Sequence, residues 1–197
     1  MMKRRVLGLL FVAFFTAAAW AQGQQWQLDA AHTTTGFTVR HMSISNVHGR
    51  FTKVEGSATI DDSDITKSSV TATMYVDTID TGVQGRDSDL KSNKYFDAAQ
   101  FPTITFKSKS VSKNGDGKLK VVGDLTIHGV TKEVTLDVDG PSAPIKQGQN
   151  QRRGLSATTQ INRKDFGIAS GTPSAMIGED IKIEIDAEFV QRGSPAP

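Results

Sequence analysis

Residues 181–189 read Ile181-Lys182-Ile183-Glu184-Ile185-Asp186-Ala187-Glu188-Phe189, with an apolar side chain at every odd position and a charge at every even one. Successive side chains of a β-strand point to opposite faces, so the apolar residues share one face and the charges the other. On a helix the same residues would scatter around the axis. The stretch is a strand with one wet and one apolar face.

The same alternation recurs upstream. Val70, Ala72, Met74 and Val76 alternate with Ser69, Thr71, Thr73 and Tyr75. Leu119, Val121, Leu125 and Ile127 share a phase with Gly123 among them, and Val134, Leu136 and Val138 form another set. Leu155, Ala157, Thr159 and Ile161 do likewise, as do Phe37 with Val39, and Ile104 with Phe106 after Pro102. Asn114-Gly115-Asp116-Gly117 is a hairpin turn by composition, because these residues tolerate positive φ. His128-Gly129 is expected to turn the chain between the next two strands. Only Arg86 to Ala99 breaks the rhythm, and residues 87–99 suit a short helical excursion with Asp87 as N-cap. Pro141 to Asn150 reads as one long polar loop.

Strands with one apolar face each are antiparallel in character. About eight of them in one domain give an all-β barrel or sandwich. Closure into a barrel removes exposed edges and can leave room for one small ligand.

The N-terminus carries an export signal. Lys3, Arg4 and Arg5 precede an uncharged apolar run from Val6 to Phe15, and Ala19-Trp20-Ala21 supplies a small-x-small cleavage pattern. The run falls short of the ~20 apolar residues needed to span a bilayer. Residues 1–21 are therefore expected to be a signal peptide cleaved after Ala21. Residues 22–190 then form the domain, and 191–197 a frayed tail. Of the 23 basic residues three lie in the leader, which leaves 20 against 21 acidic ones, a formal charge of −1. That balance argues against a nucleic-acid-binding surface, and Arg152-Arg153 reads as a solvated doublet in a loop.

Catalytic and metal motifs are sparse. There is no cysteine and no Gly-x-Ser-x-Gly elbow. The four histidines, His32, His41, His48 and His128, show none of the usual zinc spacings. His32, beside Asp29, reads as a hydrogen-bonded turn residue. Asp61-Asp62-Ser63-Asp64 lacks the glycine of a calcium loop and reads as a turn. Of the ten Phe and five Met in the chain, seven and three lie after Ala21, and alternation alone leaves open whether they fill the barrel or line a hollow one.

Several segments together resemble the YceI-like proteins, a family of periplasmic polyisoprenoid-binding proteins. Trp26-x-Leu28-Asp29, Phe37-x-Val39-Arg40-His41-Met42 and Gly49-x-Phe51 match its opening. Arg86-Asp87, Leu90, Phe96-Asp97 and Phe101-Pro102-x-Ile104-x-Phe106-x-Ser108 match its centre. Gly123 to Thr131, Asn162-Arg163-x-Asp165-Phe166-Gly167 and the last strand complete it, so the likeness spans about residues 26–190. Asp89 stands where the family commonly has histidine, and Tyr95 where it has phenylalanine.

The resemblance implies a lipocalin-like eight-stranded antiparallel barrel whose pore holds a long isoprenoid chain. The expected function is a periplasmic carrier of such a lipid, for example a polyprenyl quinone, acting in lipid transport or stress response. It requires no catalysis and no metal or cofactor beyond the lipid itself. Phe37, Val39, Phe51, Met74, Ile104, Phe106, Leu125, Phe166 and Met176 are the expected lining. The expected partner is the isoprenoid lipid or another long-chain amphiphile, with no nucleic acid and no membrane span; a homodimer stays open. Two rivals stand beside it. One is an enzyme acting on the lipid through His32, His41 or Asp89, and the other a structural or stress-response module with nothing inside.

Overall fold

In a computed structural model of the protein, residues 23–192 are described. The expected leader, its cleavage site and residues 193–197 of the tail lie outside them. Twelve strands follow in chain order: β1 (Gln24–Leu28), β2 (Thr34–His41), β3 (Ser45–Phe51), β4 (Val54–Ile60), β5 (Ser69–Tyr75) and β6 (Ile79–Asp80). The second half holds β7 (Thr103–Lys113), β8 (Lys118–Ile127), β9 (Val130–Asp139), β10 (Ile145–Gln147), β11 (Asn150–Asn162) and β12 (Ile177–Gln191). The one α-helix among the described residues, α1, is Gln84–Lys91.

Every pairing is antiparallel, and eight segments close a ring in the order β11-β9-β8-β7-β5-β4-β1-β12, with β12 returning to β11. The fold is the expected lipocalin-like barrel. The extra strands come from bends. β1 and β2 lie end to end along β12, with Leu28 opposite Phe189 and Thr34 opposite Asp186. In the same way β3 prolongs β4, and β6 prolongs β5, because β2 pairs with β3 and β3 with β6. Three long strands thus overshoot the ring at one end, called here the hairpin end after the β2–β3 turn. At this end α1 packs against β6.

Turns follow the local chemistry. His128 and Gly129 both adopt positive φ, 52° and 73°, and join β8 to β9 in a two-residue hairpin. Gly115 and Gly117 are left-handed in the turn before β8. Asp61 turns the chain after β4 by accepting bonds from the Ser63 and Asp64 amides.

Three expectations are corrected. α1 begins at Gln84, three residues before Asp87. The Asp87 carboxylate reaches back to the Thr81 amide and hydroxyl, at 2.9 and 2.5 Å, fastening the segment before the helix instead of capping it. The loop from Pro141 to Asn150 contains β10, which hairpins onto β11. Arg152 and Arg153 are part of β11, on opposite faces. Outside, the Arg152 guanidinium bridges Asp29 and Glu188. Inside, Arg153 is 5% exposed, 5.0 Å above the Trp26 ring, and pairs with Asp62 at 2.6 Å. Trp26 itself is fully buried with Ala58, Ile60, Ala187 and Phe189, forming the floor opposite the hairpin end.

The Arg152 cluster has a pH consequence. Arg152 first, then His32, holds the Asp29 carboxyl down at about 2. A depressed carboxyl contributes stability that is full above its unfolded value near 4 and is lost as pH falls through about 2. Arg152→Met is therefore expected to move acid unfolding, followed by Trp26 fluorescence, to higher pH. An unchanged acid midpoint would remove this link from the fold's ledger.

Candidate functional site: an apolar cavity in the barrel

The inward phase of each strand meets in a cavity of about 820 Å³. Ile181, Ile183, Ile185, Ala187 and Phe189 of β12 line it, while Lys182, Glu184 and Asp186 face solvent. Val70, Ala72 and Met74 of β5 and Val134, Leu136 and Val138 of β9 add further walls. The volume falls in the ~300–1,000 Å³ range of small-ligand sites.

Glycines let the aromatic rings lie where they do. Gly49 is the register partner of Phe37, and a Cβ there would lie 2.3 Å from the Phe37 ring. A Cβ on Gly123 would come within 2.5 Å of the Phe106 ring and 2.6 Å of the Lys107 carbonyl. Each ring therefore rests over a bare backbone on the neighbouring strand. Phe37, Phe51 and Phe96 then form a column toward the hairpin end, each successive pair of ring centroids 6.0 Å apart.

The charged side chains of the lining gather at that end. Arg40 and His41 come from the end of β2, and Arg86 and Asp89 from α1. Arg86 is held in place by two bonds to Thr81, one to its hydroxyl and one to its carbonyl. Tyr95 completes this group. Burial, then the negative charge of Asp89, pushes its hydroxyl pKa upward, and the Arg163 cation opposes the shift.

Arg163 organises the adjoining loop. It is 2% exposed, and its guanidinium donates to the carbonyls of Ile168, Ala169, Thr172, Ile177 and Gly178. No carboxylate pairs with it among the described residues. Its charge is met by backbone dipoles alone.

Seven of the nine residues expected from sequence line the cavity: Phe37, Val39, Phe51, Met74, Ile104, Phe106 and Leu125. Two do not. Asn162 caps the 3-10 turn Arg163–Phe166 by accepting from the Lys164 amide, so the chain leaves the sheet and Phe166 packs, 1% exposed, behind the wall. Met176 precedes β12 and is 55% exposed on the rim. Sequence reasoning also missed Val47, Arg86 and Tyr95. Val47 carried a signal, its even spacing from Phe51, whereas Arg86 and Tyr95 enter through helix and loop geometry.

Of the three residues named for the enzyme rival, two reach the cavity and one does not. His41 and Asp89 sit at the mouth, but His32 is outside at the opposite end, bonded to Asp29 at 3.0 Å. Asp29, His32 and Glu188 could together face a metal ion, yet Arg152 already places its cation on both carboxylates. His48 bonds to the Thr38 hydroxyl.

The YceI-like domain matches residues 26–189. The chain belongs to the YceI-like family. A UPF0312 protein of Staphylococcus aureus is 39% identical over 167 residues, covering 82% of this chain and 94% of its own length. The crystal structure of the Campylobacter jejuni YceI protein superposes with a TM-score of 0.70 at 29% identity, over 76% of this chain and 87% of that one. A polyisoprenoid binding domain from Saccharophagus degradans, implicated in plant cell wall breakdown, shares the fold with a TM-score of 0.64 at 15% identity, over 86% and 98%. This YceI-like barrel thus keeps the family architecture.

Proposed function

We propose that this protein is an exported, periplasmic carrier of a long-chain isoprenoid lipid such as a polyprenyl quinone, with no catalytic step. The observation that carries the reading is the mainly apolar lining of the 820 Å³ cavity, with its charged side chains confined to the hairpin end and only hydroxyls elsewhere. An amphiphile fits that polarity with its tail toward the Trp26 floor and its head near Arg86 and Tyr95. The solved relative described as a polyisoprenoid binding domain supports the ligand class. The basic n-region, apolar run and Ala19-Trp20-Ala21 support export. No helix among the described residues is long and apolar enough to cross a membrane.

Energetics fit a carrier. Moving a tail out of water gains about 0.8 kcal/mol per CH₂, so the free lipid does not travel alone. Between bilayer and barrel that gain cancels, and loading is reversible.

Organic extraction and native mass spectrometry of the purified protein test the reading. The expected result is a co-purifying isoprenoid. Delipidated protein should take up a polyprenyl quinone with quenching of Trp26, one side-chain layer behind the lining residues Ala58 and Phe189. An empty protein that takes up no quinone would overturn the proposal.

A further inference from the structure

Five large apolar side chains are half or more exposed on the described surface: Met42, Ile44, Val83, Ile145 and Met176. Scattered singly, such residues need no explanation. These are not scattered. Met42, Ile44 and Met176 share one tip at the hairpin end, and Val83 precedes α1 at the same end. Ile145 alone stands elsewhere, on β10. The opposite end carries only Ile145 of the five, next to turns that read Asp61-Asp62-Ser63-Asp64, Asn114-Gly115-Asp116-Gly117 and Gln147-Gly148-Gln149-Asn150.

The tip is built, not loose. Met42 and Ser43 both adopt left-handed φ, 49° and 60°, a conformation that favours glycine or asparagine. A methionine there holds an apolar side chain out into solvent. The Met42 amide donates to the Met176 carbonyl at 2.8 Å and the Ile44 amide to the His41 carbonyl at 3.1 Å. Arg40 donates to the Ser43 carbonyl at 3.0 Å. These bonds occupy backbone groups that an apolar medium would leave without water. Arg40 also bonds to Asn46 but pairs with no carboxylate among the described residues. A free cation therefore stands at the base of three exposed apolar side chains, the pattern of a segment whose cation snorkels to lipid phosphate.

We propose that this tip is a membrane-docking surface whose occupant is the phosphate-bearing face of a lipid bilayer. The proposal rests on the carrier reading for its purpose. His41 and Ile177 line the cavity and directly adjoin Met42 and Met176 in the chain, and Arg40, also in the lining, is one residue further back. With the tip seated among the head groups, a tail passes between bilayer and barrel without crossing bulk water. Among the cations of the adjoining loop, Lys164 is already paired with Glu179 at 2.6 Å and Arg163 is committed to backbone carbonyls.

Flotation with vesicles of phosphatidylethanolamine and phosphatidylglycerol tests this. The full protein is compared with Met42→Ser/Ile44→Ser/Met176→Ser, with Ile44→Ser alone, and with Ile145→Ser as control, folding being checked by circular dichroism. All share one N-terminus, so differences read the tip. The wild type and Ile145→Ser should float, and the triple variant should lose binding by roughly tenfold or more. Ile44→Ser, whose side chain is 76% exposed and so removable without loss of packing, should lose part of it. Wild-type protein that stays with the soluble fraction, or a triple variant that floats equally well, would overturn the proposal. So would a wild-type dimer that the triple variant dissolves without any flotation, which would make the tip a contact between copies. Extraction separates the two readings. Bound lipid without flotation sinks docking alone, whereas flotation of an empty barrel sinks the carrier and leaves docking standing.

Discussion

Ile183→Trp is expected to leave the barrel folded and to empty it of lipid. Ile183 lies mid-strand on β12 between Phe37 of β2 and Thr159 of β11, and its side chain lines the cavity. In a core filled to normal density, forcing a larger side chain into such a site costs about 1–3 kcal/mol through displaced neighbours. Here the added ring has space to enter, so the urea midpoint should stay within the equivalent of about 1 kcal/mol of the parent. The space it takes is the space a tail needs. Co-purifying lipid per mole of protein should therefore drop by about tenfold or more, because a ligand that must displace a fixed ring loses most of its burial. Unfolding of the variant would mean that the cavity cannot admit the ring. A folded variant with undiminished lipid would place the ligand elsewhere.

How far this arrangement can be read from the chain depends on what each residue signals. The β12 alternation from Ile181 to Phe189 is legible because a period of two has no other regular explanation, and the inward set is the lining set. Alternation reports a side, however, and not what fills it, so a hollow barrel and a packed one share the pattern. β7 shows a second limit. A register shift between Ser108 and Ser110 moves the inward phase from Ile104 and Phe106 to Val111, and nothing in the local sequence announces the bulge. Phe166 and Met176 mislead in another way. Both are bulky residues beside strands, yet a 3-10 turn carries one behind the wall and the rim exposes the other.

Charged residues are the least legible in the chain. Arg153 looks like part of a basic surface doublet, but the strand's pleat sends it inside while Arg152 stays out. The bonding that makes each tolerable is long-range: Asp62 lies 91 residues from Arg153, and Asp29 lies 123 from Arg152. Sequence proximity cannot show such partners. Asp87 has the residue type of an N-cap, but it stands inside the first turn and its carboxylate serves Thr81 ahead of the helix.

Arg163 carries the second large effect. Five carbonyls, buried at Ile168 and part-buried at Ala169, Thr172, Ile177 and Gly178, take hydrogen bonds from this one guanidinium. Hydrogen bonds to a charged donor contribute about 1.5–3 kcal/mol each, and they are not additive around one group. Arg163→Met keeps much of the apolar stem but strands the carbonyls, and the expected loss is about 3–5 kcal/mol in urea unfolding with an unchanged m value. Arg163→Lys should recover little, because an ammonium offers three donors on one point instead of a planar fork. The segment from Gly167 to Met176 would lose its shared anchor, so limited proteolysis of the folded variant should cut there first. A variant within about 1 kcal/mol of the parent, cut no faster in this segment, would show that the loop holds its shape by other means.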